Sequence, residues 1–119
     1  MSIADIVRIG WDHVAAGDWD ALLADYFEDV MFVMPGQDDV LRGRAALRGA
    51  LENLGAILPR GFAITGLRHI EGDAEVVTIV EWSADDVPAP QLAVLFRFRG
   101  DKVFEERWFV DTEQWKAAL

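Results

Sequence analysis

Glu106 is the residue of this 119-residue chain best suited to moving a proton. It stands in Phe104-Glu105-Glu106-Arg107-Trp108-Phe109-Val110, where two-residue alternation puts Phe104, Glu106, Trp108 and Val110 on one face of a strand. A carboxyl among aromatic side chains loses the water that stabilises its charge. Its pKa then rises toward the range where general acid/base catalysis operates. Partial solvation at the strand's end, or pairing with an Arg, is the structural alternative. His13 is the second candidate, with a free pKa near ~6.5; it either faces a pocket from a helix or stands on that helix's surface beside Asp12. His69 reads as a cross-strand partner at a rim, and Glu81 faces inward only if the register beside Trp82 allows it. Asp111 reads as the cap of a final helix through the Thr112 and Glu113 amides.

Other chemistries lack their residues. With no Cys, the chain has no thiol nucleophile, disulfide or thiolate zinc site. No His-x-His, His-Glu-x-x-His or tight carboxylate group is present, so no metal is expected. Phosphate-loop, dinucleotide and nucleophile-elbow patterns are missing too, and no cofactor is expected.

The elements that must position these groups fall into helices first and strands afterwards. Ile3, Ile6, Val7, Trp11, Val14 and Ala15 recur at helical steps between a Ser2 cap and a Gly17 stop. Asp18 caps a second helix with Leu22, Leu23, Tyr26 and Phe27 on its inner face. Val30 to Met34 reads as a short buried strand closed by Pro35-Gly36. A third helix runs from Gly43 to about Leu58, before Pro59. The period then changes to two. A strand with Phe62, Ile64, Leu67 and Ile70 carries an irregularity at Gly66, and Glu71-Gly72-Asp73 turns into Glu75 to Ser83. Leu92 to Arg99, the Gly100-Asp101 turn and Val103 to Asp111 complete a meander, and a helix over Thr112 to Leu119 covers an edge. This is an α+β pattern, read as one domain over residues 1–119.

Composition narrows the function classes. A 52% hydrophobic content excludes disorder, and no apolar run reaches the ~20 residues of a membrane span. The first residues lack a basic segment before an apolar one, so no signal peptide is expected and the cytoplasm is the default location. A net charge of −10 without a Lys/Arg cluster repels a phosphate backbone, which argues against nucleic acid and for a neutral, fairly apolar small molecule. Thirteen aromatics, five of them Trp, point to a thick core or an aromatic-lined cavity. Most read as core, and because each buried indole N–H needs a partner, one or two are expected to line a cavity.

Ala15-Ala16-Gly17-Asp18-Trp19-Asp20-Ala21-Leu22 followed by Tyr26-Phe27-Glu28-Asp29-Val30 resembles the A-G-D-x-x-x-L … F-x-x-D-V opening of SnoaL-like and ketosteroid-isomerase-like proteins, members of the nuclear transport factor 2-like superfamily. Met34-Pro35-Gly36 and Arg42-Gly43-Arg44-Ala45-Ala46-Leu47 are similar to the family's P-G … x-G-R-x-A-L helix start. Glu71-Gly72-Asp73, Phe96-Arg97-Phe98-Arg99-Gly100-Asp101-Lys102-Val103 and Trp108-Phe109-Val110-Asp111 continue the likeness in order along nearly the whole chain.

The resemblance implies a cone: a strongly curved mixed or antiparallel sheet wrapped by three N-terminal helices, a cystatin-like α+β barrel with a pocket inside. Pocket-lining residues would be Trp11, Tyr26, Phe32, Met34, Trp82, Val94, Phe96 and Trp108. The same matching puts Met34 at the isomerases' basic position and Val94 at their aspartic donor, and the tyrosine position falls near Gly10 or Trp11, none of which moves a proton. The epoxide-hydrolase positions fall on Phe32, Met34, Trp108 and somewhere within Val80 to Trp82, so that mechanism is not expected either. What remains is a pocket for a small apolar molecule. Its chemistry would be cofactor-independent cyclisation, isomerisation or dehydration by Glu106 or His13; the alternative is a non-catalytic binding or assembly module. Arg97, Arg99 and Arg107 share the outer face, where relatives often pair as homodimers.

Overall fold

A computed structural model describes residues 2–33, 40–53, 61–85 and 91–109 of the chain. Helix α1 (Ile3–Ala16) begins at a capping box, in which the Asp5 N–H donates to Ser2 Oγ and the Ser2 N–H donates to Asp5 Oδ2, both at 3.1 Å. It ends at Gly17, whose φ of 68° places it in the left-handed region that glycine enters without strain. Asp18 then accepts from the Ala21 N–H and opens the short helix α2 (Trp19–Leu23).

Tyr26 and Phe27 are not on the inner face of that helix. They open strand β1 (Tyr26–Val33), which pairs in parallel with the last strand, β6 (Lys102–Phe109). Asp25 C=O accepts from the Val103 N–H at 2.9 Å. The apolar spacing from Leu22 to Phe27 fits a helix locally, and pairing with a strand distant in sequence overrides it.

A two-residue strand β2 (Leu41–Arg42) borders β1 and leads into helix α3 (Arg44–Glu52), whose Leu47 and Leu51 pack into the core. The expected continuation of α3 to Leu58 lies outside the described residues, as do Met34, Val110, Asp111 and the expected C-terminal helix. Strands β3 (Ala63–Glu71), β4 (Glu75–Ser83) and β5 (Gln91–Arg99) join β6 in an antiparallel meander. The six strands form one curved, open mixed sheet in the order β2-β1-β6-β5-β4-β3, so β6 lies between β1 and β5 and joins the meander to the first long strand. The β3–β4 register slips between Ile64 and Gly66, where the sequence marks an irregularity.

The core lies between the inner face of the sheet and the helices. Val76, Thr78, Val80 and Trp82 of β4 and Leu92, Val94, Phe96 and Phe98 of β5 point into it. On β6 the alternation breaks. The register passes from Arg97↔Glu105 to Phe98↔Val103, leaving Phe104 as the extra residue of a β-bulge. Phe104 therefore does not share a face with Glu106 and Trp108. It lies on the outer face, its ring centroid 5.3 Å from the Arg97 guanidinium carbon and 5.0 Å from that of Arg99, while Val103 takes the inner place.

Among the described residues, no helix is long and apolar enough to cross a membrane.

Candidate functional site

Helix α1 crosses the inner face of β3 and β4. The Ala4 N–H donates to Glu71 Oε1 at 3.2 Å, and Trp11 Nε1–H donates to Thr78 Oγ1 at 3.4 Å. Between α1, α2 and the sheet lies a cavity of about 130 Å³. Its described walls are Ile6, Val7, Gly10, Trp11 and Val14 from α1, with Leu22, Asp25 and Tyr26 where α2 gives way to β1. Leu51, Phe62, Ile64, Val80, Leu92 and Phe96 continue the walls, and Val103, Glu106 and Trp108 complete them from β6. Trp11 sets its ring edge-on to Phe96 at 6.3 Å and tilted against Trp108 at 6.4 Å, which fixes the aromatic wall.

Glu106 is the more deeply buried of the two carboxyl groups in this wall, the other being Asp25. It lies beside Phe96 across β5 and beside Phe32 across β1, with 5% of its surface exposed. The Tyr26 O–H donates to Oε1, and Trp108 Nε1–H donates to Oε2 at 2.8 Å. Burial pushes the Glu106 carboxyl above its ordinary value of 4.5, and the two donors oppose that rise without cancelling it. Tyr26 moves far above its ordinary 10.0, first by burial, then through the charge and hydrogen bond of Glu106 and the charge of Asp25. Its hydroxyl thus stays protonated at physiological pH and remains a donor.

The structure brings together only part of the expected set. Trp11, Tyr26, Phe96, Glu106 and Trp108 all line the cavity. Phe32 and Val94 are buried in the sheet beside Glu106 and Trp108 and are not among the described lining residues. Trp82 stands behind the wall, its ring 5.3 Å from that of Phe62. His13 is half-buried on α1 and is not among the lining residues; its backbone carbonyl accepts from the Asp18 N–H. Glu81 is exposed, opposite Gly66.

Sequence reasoning missed two contacts. The Tyr26–Glu106 pair joins residues 80 apart, with no local signal to announce it. His69 does face Thr78 across the β3–β4 ladder, with Nδ1 2.9 Å from Thr78 Oγ1. The Thr78 hydroxyl, however, also receives the Trp11 N–H, so it links His69 to the cavity wall. Burial, then the charge of Arg8, lowers the His69 pKa below 6.5.

Among the described residues no group of three or more His, Asp or Glu side chains is placed to hold a metal ion. No Lys, Arg, His, Ser, Thr, Asn or Gln is among the described lining residues either. The arrangement can hold an apolar molecule against one desolvated carboxylate, and it disfavours an anion.

Solved structures share the fold at low identity. A candidate polyketide cyclase from Xanthomonas campestris pv. campestris superposes with a TM-score of 0.80 at 18% identity, covering 98% of this chain and 95% of that one. A second candidate polyketide cyclase, from Pseudomonas putida KT2440, gives 0.80 at 17% identity over 100% and 98% of the chains. TerC co-crystallised with polyporic acid gives 0.81 at 17% identity over 98% of each chain. No curated protein matches the sequence at a significant level. Residues 7–106 match the model of the SnoaL-like domain family, which is most of the chain, and with the cone-like α+β architecture they make this protein a member of that family within the nuclear transport factor 2-like superfamily.

Proposed function

We propose that this protein binds a small, largely apolar molecule in its cavity and moves a proton on it without a cofactor, with Glu106 as the acid/base group. The observation that carries this reading is a single desolvated carboxylate, fixed by the Tyr26 hydroxyl and the Trp108 indole, in a wall otherwise almost wholly apolar. The likeness to candidate polyketide cyclases supports the same class of chemistry.

Among the described residues each Glu106 oxygen accepts one hydrogen bond, which leaves it a second lone pair. A proton leaving an activated C–H or O–H of the substrate goes to one of those lone pairs, and its electron pair moves into the substrate's conjugated system. Glu106 then returns the proton to a different substrate atom, so isomerisation or ring closure proceeds with no atom gained or lost. Trp11, Phe96 and Trp108 hold the substrate flat against the carboxylate and keep water away, which strengthens every electrostatic contact there. The base must be ionised, so the rate falls on acidification. His13, away from the described wall, has no part in this step.

The test is deuterium exchange at the activated carbon of small β-keto esters in D2O, followed by NMR. Wild-type protein should accelerate exchange above buffer. Glu106→Gln should lower that acceleration by about 10²-fold or more, within the range for a positioned acid/base. Equal exchange by the variant refutes the role of Glu106. Binding without any accelerated exchange favours the non-catalytic binding module of the same fold.

A partner belongs to the same reading. The outer face of the sheet carries half-buried Val77, Ile79, Ala93 and Leu95 beside Phe109, which is 52% exposed. Arg97 and Arg107 on that face are bound to Glu105, and Arg99 lies over Phe27 and Phe104. An apolar strip framed by anchored guanidinium groups suits a second copy of this acidic chain.

A further inference from the structure

We infer that the cavity is built for a neutral, single-ring molecule carrying one hydrogen-bond donor, a phenol-sized ligand, and that it rejects ions and fused-ring compounds. The inference rests on the binding reading above and narrows it.

Size is the first argument. The cavity measures about 130 Å³. An apolar cavity of roughly 150 Å³ accommodates benzene, whereas pockets for drug-sized molecules run to about 300–1,000 Å³. One ring with a small substituent fills this space, and two fused rings exceed it.

Hydrogen bonding is the second. Three ring-borne donors reach the wall, and each is already spent within the protein. The Tyr26 O–H and the Trp108 N–H go to Glu106, and the Trp11 N–H goes to Thr78. A ligand offering only an acceptor, such as an ether, finds no unspent side-chain donor among the described lining residues. A ligand offering a donor finds the remaining lone pairs of the Glu106 carboxylate. That bond is charge-assisted and shielded from water, so it discriminates strongly.

Charge is the third. Asp25 and Glu106 line the cavity with no cationic residue among the described ones, which repels a carboxylate or phosphate ligand. An ammonium brings three donors and must satisfy them all when desolvated. Glu106 already accepts two internal bonds, so a single hydroxyl or N–H fits its remaining capacity better.

The experiment titrates the protein with phenol, toluene, anisole, benzoate, benzylamine and 2-naphthol at pH 7.5. The indole N–H resonances of Trp11 and Trp108 are followed by NMR. Phenol should bind saturably and at least about tenfold more tightly than anisole or toluene, with a charge-assisted bond as the source of the gap. Benzoate, benzylamine and 2-naphthol should not saturate. Glu106→Gln should shrink the phenol-to-anisole gap to about threefold or less, since a neutral acceptor replaces a charged one. Should that variant fail to fold, Ile6→Phe, which fills the cavity from α1, should weaken phenol at least tenfold while the folded spectrum persists. Binding of benzoate, benzylamine or 2-naphthol as tight as that of phenol overturns the ligand class and leaves the binding reading intact. Saturable binding by none of the six overturns both.

Discussion

Replacing Tyr26 with Phe removes one oxygen from the core and nothing else of the ring, so its effect isolates the hydrogen bond to Glu106. Both residues are 5% exposed, and solvent does not take over the lost bond. A hydrogen bond between neutral groups contributes about 0.5–1.5 kcal/mol, and one to a charged group about 1.5–3 kcal/mol. The cost of Tyr26→Phe must therefore depend on the charge of Glu106. The folded pKa of Glu106 lies above its ordinary 4.5, because burial outweighs its two donors. A raised carboxyl contributes stability that is fully present below 4.5 and is lost as pH rises through the folded pKa. Tyr26→Phe removes a donor that favours the ionised form and raises that pKa further. At pH 4 the variant should lose about 1 kcal/mol, the value of a neutral bond. As pH climbs through the wild-type folded pKa, the loss should grow toward about 1.5–3 kcal/mol, then level off once the variant ionises too. Urea unfolding from pH 4 to 8.5, repeated in a Glu106→Gln background, measures both the slope and the coupling. A cost independent of pH, or one unchanged in the Glu106→Gln background, refutes the coupled pair.

Thr78→Val keeps the shape of a fully buried side chain but deprives the Trp11 indole and His69 of their shared hydroxyl; it should cost about 1–3 kcal/mol and shift the Trp11 N–H resonance, and Thr78→Ser should restore most of both. Gly43, the residue before α3, holds φ 96° and ψ 153°, a conformation open essentially to glycine alone, so Gly43→Ala should lower stability by about 1–3 kcal/mol in thermal or urea unfolding. Light scattering at micromolar concentration should give about twice the 13.3 kDa of one chain, and Phe109→Glu should return it to one; a wild-type monomer removes the paired outer face.

The parts of the fold legible in the sequence are those whose cause is local. The Ser2 cap, Gly17 with Asp18, and the turns at Glu71-Gly72-Asp73 and Gly100-Asp101 act through backbone groups a few residues away, and each appears where its chemistry puts it. The start of β1 was not legible. Leu22, Leu23, Tyr26 and Phe27 satisfy a helical period, and the strand that captures Tyr26 begins at Lys102. Strand parity proved half sufficient on β6. Counting from Trp108 puts Glu106 inward, as found, but the same count fails one step earlier because the bulge turns Phe104 outward. A single inserted residue leaves the alternation on either side intact, so nothing in the local pattern reveals it.

Ordinary strand alternation, regular again after the bulge, puts two adjacent glutamates on opposite faces of β6. Glu105 and Glu106 are equally buried, each 5% exposed, yet they project to different faces of β6. Outside, Arg97 and Arg107 approach Glu105 at 3.4 and 3.3 Å, and this charge pairing accounts for a carboxylate tucked under a sheet face. Inside, the donors that Glu106 meets among the described residues are neutral, a phenol hydroxyl and an indole N–H, which solvate its negative charge without cancelling it. A carboxylate without a cationic partner in an apolar wall gains from taking a proton, and burial raises the Glu106 pKa accordingly. The difference between the neighbours therefore lies in their partners and not in their depth, and it is the inner residue that faces the cavity where a molecule would bind.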